Sequence, residues 1–261
     1  MSDFAAKFTN ANTATDAAAY DSTRALAWVE RIRQLEPATH NGFAVALLSA
    51  MFCAQRRGDV VSALFRDATK NETDAILKET FIVVREALAI IVPFVGFPSC
   101  MPAVFGLVGE LRRRGISQVP SPERLGFDKV DYTTEGKAAF KTVYRGVGNS
   151  EVGQMLQQYF PEYSYYADTA VFGYLLSGNN LLKLKEKELV LASGIFAQGA
   201  TRQSQSHCKA SIQLGNRVDV VKALFNVSAD VALWNNNPLP AVIDVPQLAE
   251  EVKRNLAAEN E

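Results

Sequence analysis

Cysteine is scarce and scattered in this sequence. Cys53, Cys100 and Cys208 stand far apart, with no Cys-x-x-Cys and no even count, a pattern that argues against a disulfide framework or a structural zinc site and for an intracellular protein. An excess of either charge is missing too. Against 28 acidic residues there are 27 basic ones, so no global field favours nucleic acid, anionic lipid or a polyacidic substrate. A long uninterrupted apolar run is also lacking. The most apolar stretch, Phe81 to Pro98, contains Arg85 and Glu86 and then Pro93, Gly96 and Pro98, whereas a membrane-spanning helix needs about 20 residues without such charges. It reads as a buried helix ending in a tight turn. Residues 1–21 have no apolar segment of the kind a secretory signal needs and make a poor mitochondrial presequence, so they are expected to form a flexible arm. A cytoplasmic protein is expected, with an organellar matrix left open.

What is present is helical periodicity, with no convincing alternation of strand type. Ser22 or Thr23 is expected to cap a helix that stops at Pro37. The segment from Gly42 to Gln55 is apolar on nearly every side, as a central helix would be. A further helix is introduced by Asn71 or Thr73, and another ends at Arg112 to Arg114, whose charges suit a solvated C-terminal turn. Residues 116–136, with Pro120, Pro122 and Gly126 and little periodicity, form the expected linker. Helices resume at 137–235, and 236–261 is a tail ending in a polar helix that could dock on a neighbour.

Two internal registers suggest a repeat of 22–115 in 137–235. Residues 57–65 (RGDVVSALF) and 217–225 (RVDVVKALF) agree at seven of nine positions, at an offset of 160. A second register sets VVREAL at 83–88 against VVKALF at 220–225, each after an apolar helix (LLSAMF and LASGIF). The second is preferred, because short helical identities in Val, Ala and Leu arise easily.

The residues with chemistry to offer cluster in two consecutive helices. At about 100° per residue, Leu184, Leu191, Ala192 and Ile195 share a face with Glu188, while Lys183, Glu186, Lys187 and Ser193 fall opposite. Glu188 therefore points inward, where a carboxylate must be paired, hydrogen-bonded or protonated. On the next helix His207 shares a face with Ala200, Gln203, Ala210, Ser211 and Leu214, while its neighbour Cys208 lies about 100° away. Antiparallel packing across Gly199 could bring Glu188 to His207, either as an acid–base couple or as a structural pair.

Glu188, Ala200, Gln203 and His207 occupy the spacing of a Glu-x11-Cys-x2-Cys-x3-His pattern. Here the chain resembles the carboxymuconolactone decarboxylase and alkylhydroperoxidase D-like superfamily. The helix from His207 to Gly215 and the one after it are similar to that family's His-x-x-x-Ala-x-x-x-Gly helix and its successor. Val83 to Val104 resembles its helix ending in a Gly-Phe-Pro turn. The resemblance implies an all-α fold of two tandem repeats, assembled as a homo-oligomer with pockets near subunit contacts. Ala200 and Gln203 stand where the peroxidase branch has its two cysteines, so a dithiol cycle cannot run there. The decarboxylase branch needs neither cysteine nor cofactor. It implies loss of carbon dioxide from a small lactone or oxo-acid, with His207 donating the proton, Glu188 orienting it and Gln203 holding the carbonyl oxygen. Two other readings stay open: an alkylhydroperoxidase-like redox protein working through Cys208 or Cys53, and a non-catalytic assembly module in which Glu188 and His207 are fully buried.

Smaller signals have plain readings. Tyr144 to Glu151 is a helix–helix turn capped by Asn149 or Ser150 rather than a phosphate loop, and the aromatic stretch 159–174 is core or subunit interface. His40 is a surface or capping residue, and Trp28 and Trp234 are packing residues.

Overall fold

The computed structural model describes residues 5–10, 13–35, 40–121, 124–148, 150–178 and 181–258. Among them it is all-helical, with no strand. In chain order the helices are α1 (Ser22–Leu35), α2 (Phe43–Ala54), α3 (Val61–Ala68), α4 (Asp74–Val95), α5 (Phe97–Arg113), α6 (Tyr132–Tyr144), α7 (Ser150–Tyr159), α8 (Pro161–Tyr166), α9 (Ala167–Leu176), α10 (Leu184–Gln198), α11 (Thr201–Gln213), α12 (Val218–Trp234) and α13 (Val245–Ala258). A π turn at Ala5–Thr9 and a 3-10 turn at Gly58–Val60 complete them, and α9 is itself wound as a π helix. None of these helices is long and apolar enough to cross a membrane.

Two helices enclosed on every side make the centre. Every residue of α2 from Phe43 to Cys53 is buried, and so is every residue of α10 from Glu186 to Ala197. These two helices pack on each other and are wrapped by α4, α11 and α12. Gln55, buried at the end of α2, joins the layers: its amide donates to Ala197 O, and its own oxygens accept from Asn235 and Asn237. One continuous apolar core runs from Ala25 to Leu248. Trp28, Phe52 and Trp234 stack edge-on within it, tying α1 and α2 to α12, and Arg57 lies over the Trp234 ring.

Caps and glycines fix the boundaries. Asp21 accepts from Arg24 N and starts α1, one residue earlier than the Ser22 or Thr23 cap expected. Thr73 caps α4 through Ile76 N. Where α6 crosses α9 the backbones touch: a Cβ on Gly136 would lie 1.7 Å from Asp168 O, and one on Gly173 would lie 2.1 Å from Tyr132 O. Only glycine fits at that crossing. The turn between α6 and α7 forms around Gly148 at positive φ, while the Asn149 cap falls outside the described residues.

Several segments expected to be loose are held. In the N-terminal arm, Ala18 O accepts from Arg57, Ala19 O from Trp234 Nε1, and Tyr20 donates to Asp67. The stretch 116–136 is no slack linker: its last five residues begin α6, and Arg124 is buried against Glu86. Arg114, expected in solvent, binds Thr69 O and Oγ1 on the turn after α3. The tail helix α13 packs on α11 of its own chain, and Asn255 donates to Gly146 O. The aromatic stretch divides. Phe172 stacks on Phe140 and Tyr144 in the core, whereas Tyr159, Phe160, Tyr163, Tyr165 and Tyr166 are exposed.

Candidate functional site

Glu188 and His207 meet because two side-chain-to-carbonyl hydrogen bonds lock the register of α10 against α11. Gly199, in the left-handed region, ends α10 and reverses the chain. From that turn, Ser204 Oγ donates to Ile195 O at 3.3 Å, and at the far end Asn216 Nδ2 donates to Lys185 O at 2.9 Å. Between these ties His207 Nδ1 lies 2.8 Å from Glu188 Oε1. Both residues are buried, with 1% of Glu188 and 3% of His207 exposed. An ionised Glu188 only accepts, so it fixes the proton on Nδ1 and turns Nε2 away from itself.

Nε2 faces the Tyr144 hydroxyl of α6 at 3.3 Å. A neutral imidazole accepts there, and an imidazolium donates. Tyr144 as a whole residue is half-buried, but its hydroxyl is enclosed, so the carboxylate–imidazole–phenol chain lies beneath the surface. Burial, with Glu188 nearby, holds the phenol protonated well above its usual range. The rings of Tyr144 and Phe94 meet the imidazole edge-on, at 5.9 and 6.2 Å between centroids. The second carboxylate oxygen, Glu188 Oε2, is buried with no hydrogen-bond partner among the described residues, and so is Ser211 Oγ one turn beyond His207. A buried carboxylate oxygen left unpaired is costly, and such atoms concentrate where a water or ligand completes the site.

Gln203 does not join this group. It shares His207's face in angle but is exposed, because the first turn of α11 projects beyond the helices that cover His207. Ala200, at its start, is half-buried. Tyr144 and Phe94 went unrecognised, since residues 63 and 113 positions away carry no spacing signal; only the aromatic density of KAAFKTVY and the Phe94 turn hinted at packing here.

Glu188 is buried as its helix face implies, but so are residues on the other faces of α10. Glu186, Lys187 and Ser193, placed opposite, are also buried, because α10 is enclosed on all sides. Lys187 has no measurable exposure, and its ammonium donates to the carbonyls of Leu176, Ser177 and Gly178 at 3.1 to 3.3 Å. Arg124 takes the two preceding carbonyls, of Tyr174 and Leu175, while pairing with Glu86. Two buried cations thus satisfy the C-terminal end of α9, where the helix dipole is negative.

The thiols lie elsewhere. Cys208 is buried, and burial pushes it up to about 12. Cys53 on α2 lies beside Cys100 on α5, and that neighbouring thiol together with burial raises its thiol well above the ordinary range. Protonated thiols of this kind are poor nucleophiles. Among the described residues no three His, Cys, Asp or Glu side chains gather to hold a metal ion. Two cavities were found away from the pair. One of about 340 Å³ is lined by His40, Asn41, Glu72 and Thr80 among others. The other, about 450 Å³, lies between α4 and α5. Neither is lined by Glu188, His207 or Tyr144. No protein-family model and no curated protein matches the chain.

Proposed function

We propose that the chain is a two-repeat helical protein of the carboxymuconolactone decarboxylase kind, and that Glu188, His207 and Tyr144 form a cofactor-independent proton-transfer site acting on a small lactone or oxo-acid. The observation that carries this reading is the 2.8 Å contact between His207 Nδ1 and Glu188 Oε1, with Nε2 turned toward the Tyr144 phenol. In such a reaction the carbon–carboxylate bond breaks, carbon dioxide leaves, and its electron pair is delocalised into the substrate carbonyl. His207, as imidazolium, delivers a proton from Nε2 to carbon, and Glu188 stabilises the positive charge while the proton is held. The Tyr144 hydroxyl occupies the place the reacting atom would take, so substrate entry requires that ring to swing aside.

A matched pair of local structures supports the repeat. Arg57 grips Asp59 through both nitrogens before α3, and Arg217 grips Asp219 in the same way before α12. This favours the offset of 160 over the register preferred on helix character. The exposed aromatic edge at α7 and α8 supports assembly with a second copy of the chain.

A second reading, a non-catalytic assembly module, is favoured by the burial of both Glu188 and His207 and by the absence of either from the two cavities. The redox reading has least support, since all three thiols are buried. The deciding experiment measures carbon dioxide release from a panel of carboxylated unsaturated lactones and β-oxo-acids by wild type, Glu188→Gln and His207→Asn, with folding checked by circular dichroism. A folded His207→Asn should lose about 10² to 10⁴ in turnover. Unchanged turnover in both folded variants, or no turnover by wild type, would sink the proposal and leave the assembly module.

A further inference from the structure

The cavity of about 450 Å³ between α4 and α5 is not lined by His207, and its walls are apolar with one exception. Leu88, Val92, Met101, Leu107 and Val119 are among its lining residues, and the exception is Arg85. Its size falls within the range of small-molecule sites, roughly 300 to 1,000 Å³. The guanidinium is held at the wall by its Nη1, which donates to Pro120 O at 2.7 Å, and by the Phe81 ring, 5.8 Å away. Its sequence neighbour Glu86 is committed to Arg124. Among the described residues no carboxylate forms an ion pair with Arg85. Burial draws it below its ordinary range, an effect that the nearby Glu86 carboxylate only partly offsets. At the mouth Phe97 is 68% exposed.

We infer that this cavity binds a medium-chain carboxylate, with the alkyl chain between α4 and α5 and the carboxylate on the Arg85 fork. The choice follows from charge and shape. An uncharged apolar guest would leave the guanidinium unanswered. A phosphate dianion needs more donors than one arginine offers, whereas a carboxylate matches the planar fork with two parallel hydrogen bonds. Elsewhere the walls are apolar, so they reward chain length and little else.

The test is calorimetric titration of the full chain with hexanoate, octanoate and decanoate, kept below their micelle concentrations, and with the matching 1-alkanols. Each added methylene should tighten Kd by about four-fold until the cavity is full. Arg85→Met should weaken the carboxylates about tenfold or more while leaving the alkanols unchanged. Ala89→Trp, which fills the cavity from a half-buried position, should abolish binding of both. Failure of decanoate to bind wild type overturns the inference, as does equal affinity for carboxylate and alkanol. A second copy covering the cavity also overturns it: sedimentation would then show Phe97→Ser dissociating an oligomer while decanoate gives no heat with either form.

Discussion

Lys187 is the residue whose role periodicity concealed most completely. Desolvation pushes its amine down to about 8, from an ordinary value of 10.5, even with three carbonyls around it. The direction of the pH effect follows. Below pH 8 the amine is charged in both states, and burying that charge opposes folding. Between pH 8 and 10.5 the folded amine has shed its proton while the unfolded one keeps it, so its contribution to stability rises with pH. Urea unfolding should therefore show wild type gaining on Lys187→Met across that window, by at most about 3 kcal/mol. A difference that is flat with pH would mean that the carbonyls hold the ammonium charged throughout. Glu188 and His207 follow the opposite logic, each satisfying the other at 2.8 Å inside the same enclosed helix pair.

Among the elements, the crossing of α6 and α9 depends on backbone contact rather than on side chains. Alanine in a helix interior is favoured over glycine by about 1 kcal/mol. At Gly136 that gain is outweighed, since its Cβ would fall 1.7 Å from a carbonyl oxygen that belongs to another helix and cannot rotate away. Gly136→Ala is expected to destabilise the protein by roughly 1 to 3 kcal/mol or more, read from the urea midpoint. Gly153→Ala on α7 is the control. Its nearest neighbour is Phe140 Cε1 at 3.9 Å, an ordinary contact, so the substitution should be neutral or mildly stabilising. Since Tyr144 sits at the end of α6, the same crossing sets the distance between its hydroxyl and His207.

At the scale of the molecule, α7 and α8 stand apart from the core and present Met155, Tyr159, Phe160, Tyr163, Tyr165 and Tyr166 to solvent. Single exposed aromatics are ordinary, but a contiguous set marks an interaction surface. Under the assembly proposed above, Tyr159→Ser with Tyr163→Ser should lower the mass measured by sedimentation equilibrium without lowering helix content. An unchanged mass would place any self-contact elsewhere. The sequence by itself determined the helical class, the enclosed apolar helix α2, and the inward direction of Glu188 and His207. Each of these follows from residue type at 3.6-residue spacing, which is local information. Only the tertiary structure decided that Tyr144 and Phe94 border the imidazole, that Lys187 and Arg124 cap α9, and that Arg85 faces an apolar cavity. It also put Gln203 in solvent and Cys53 beside Cys100. Those outcomes depend on which distant helices cover a given turn, and angular position on one helix does not contain that information.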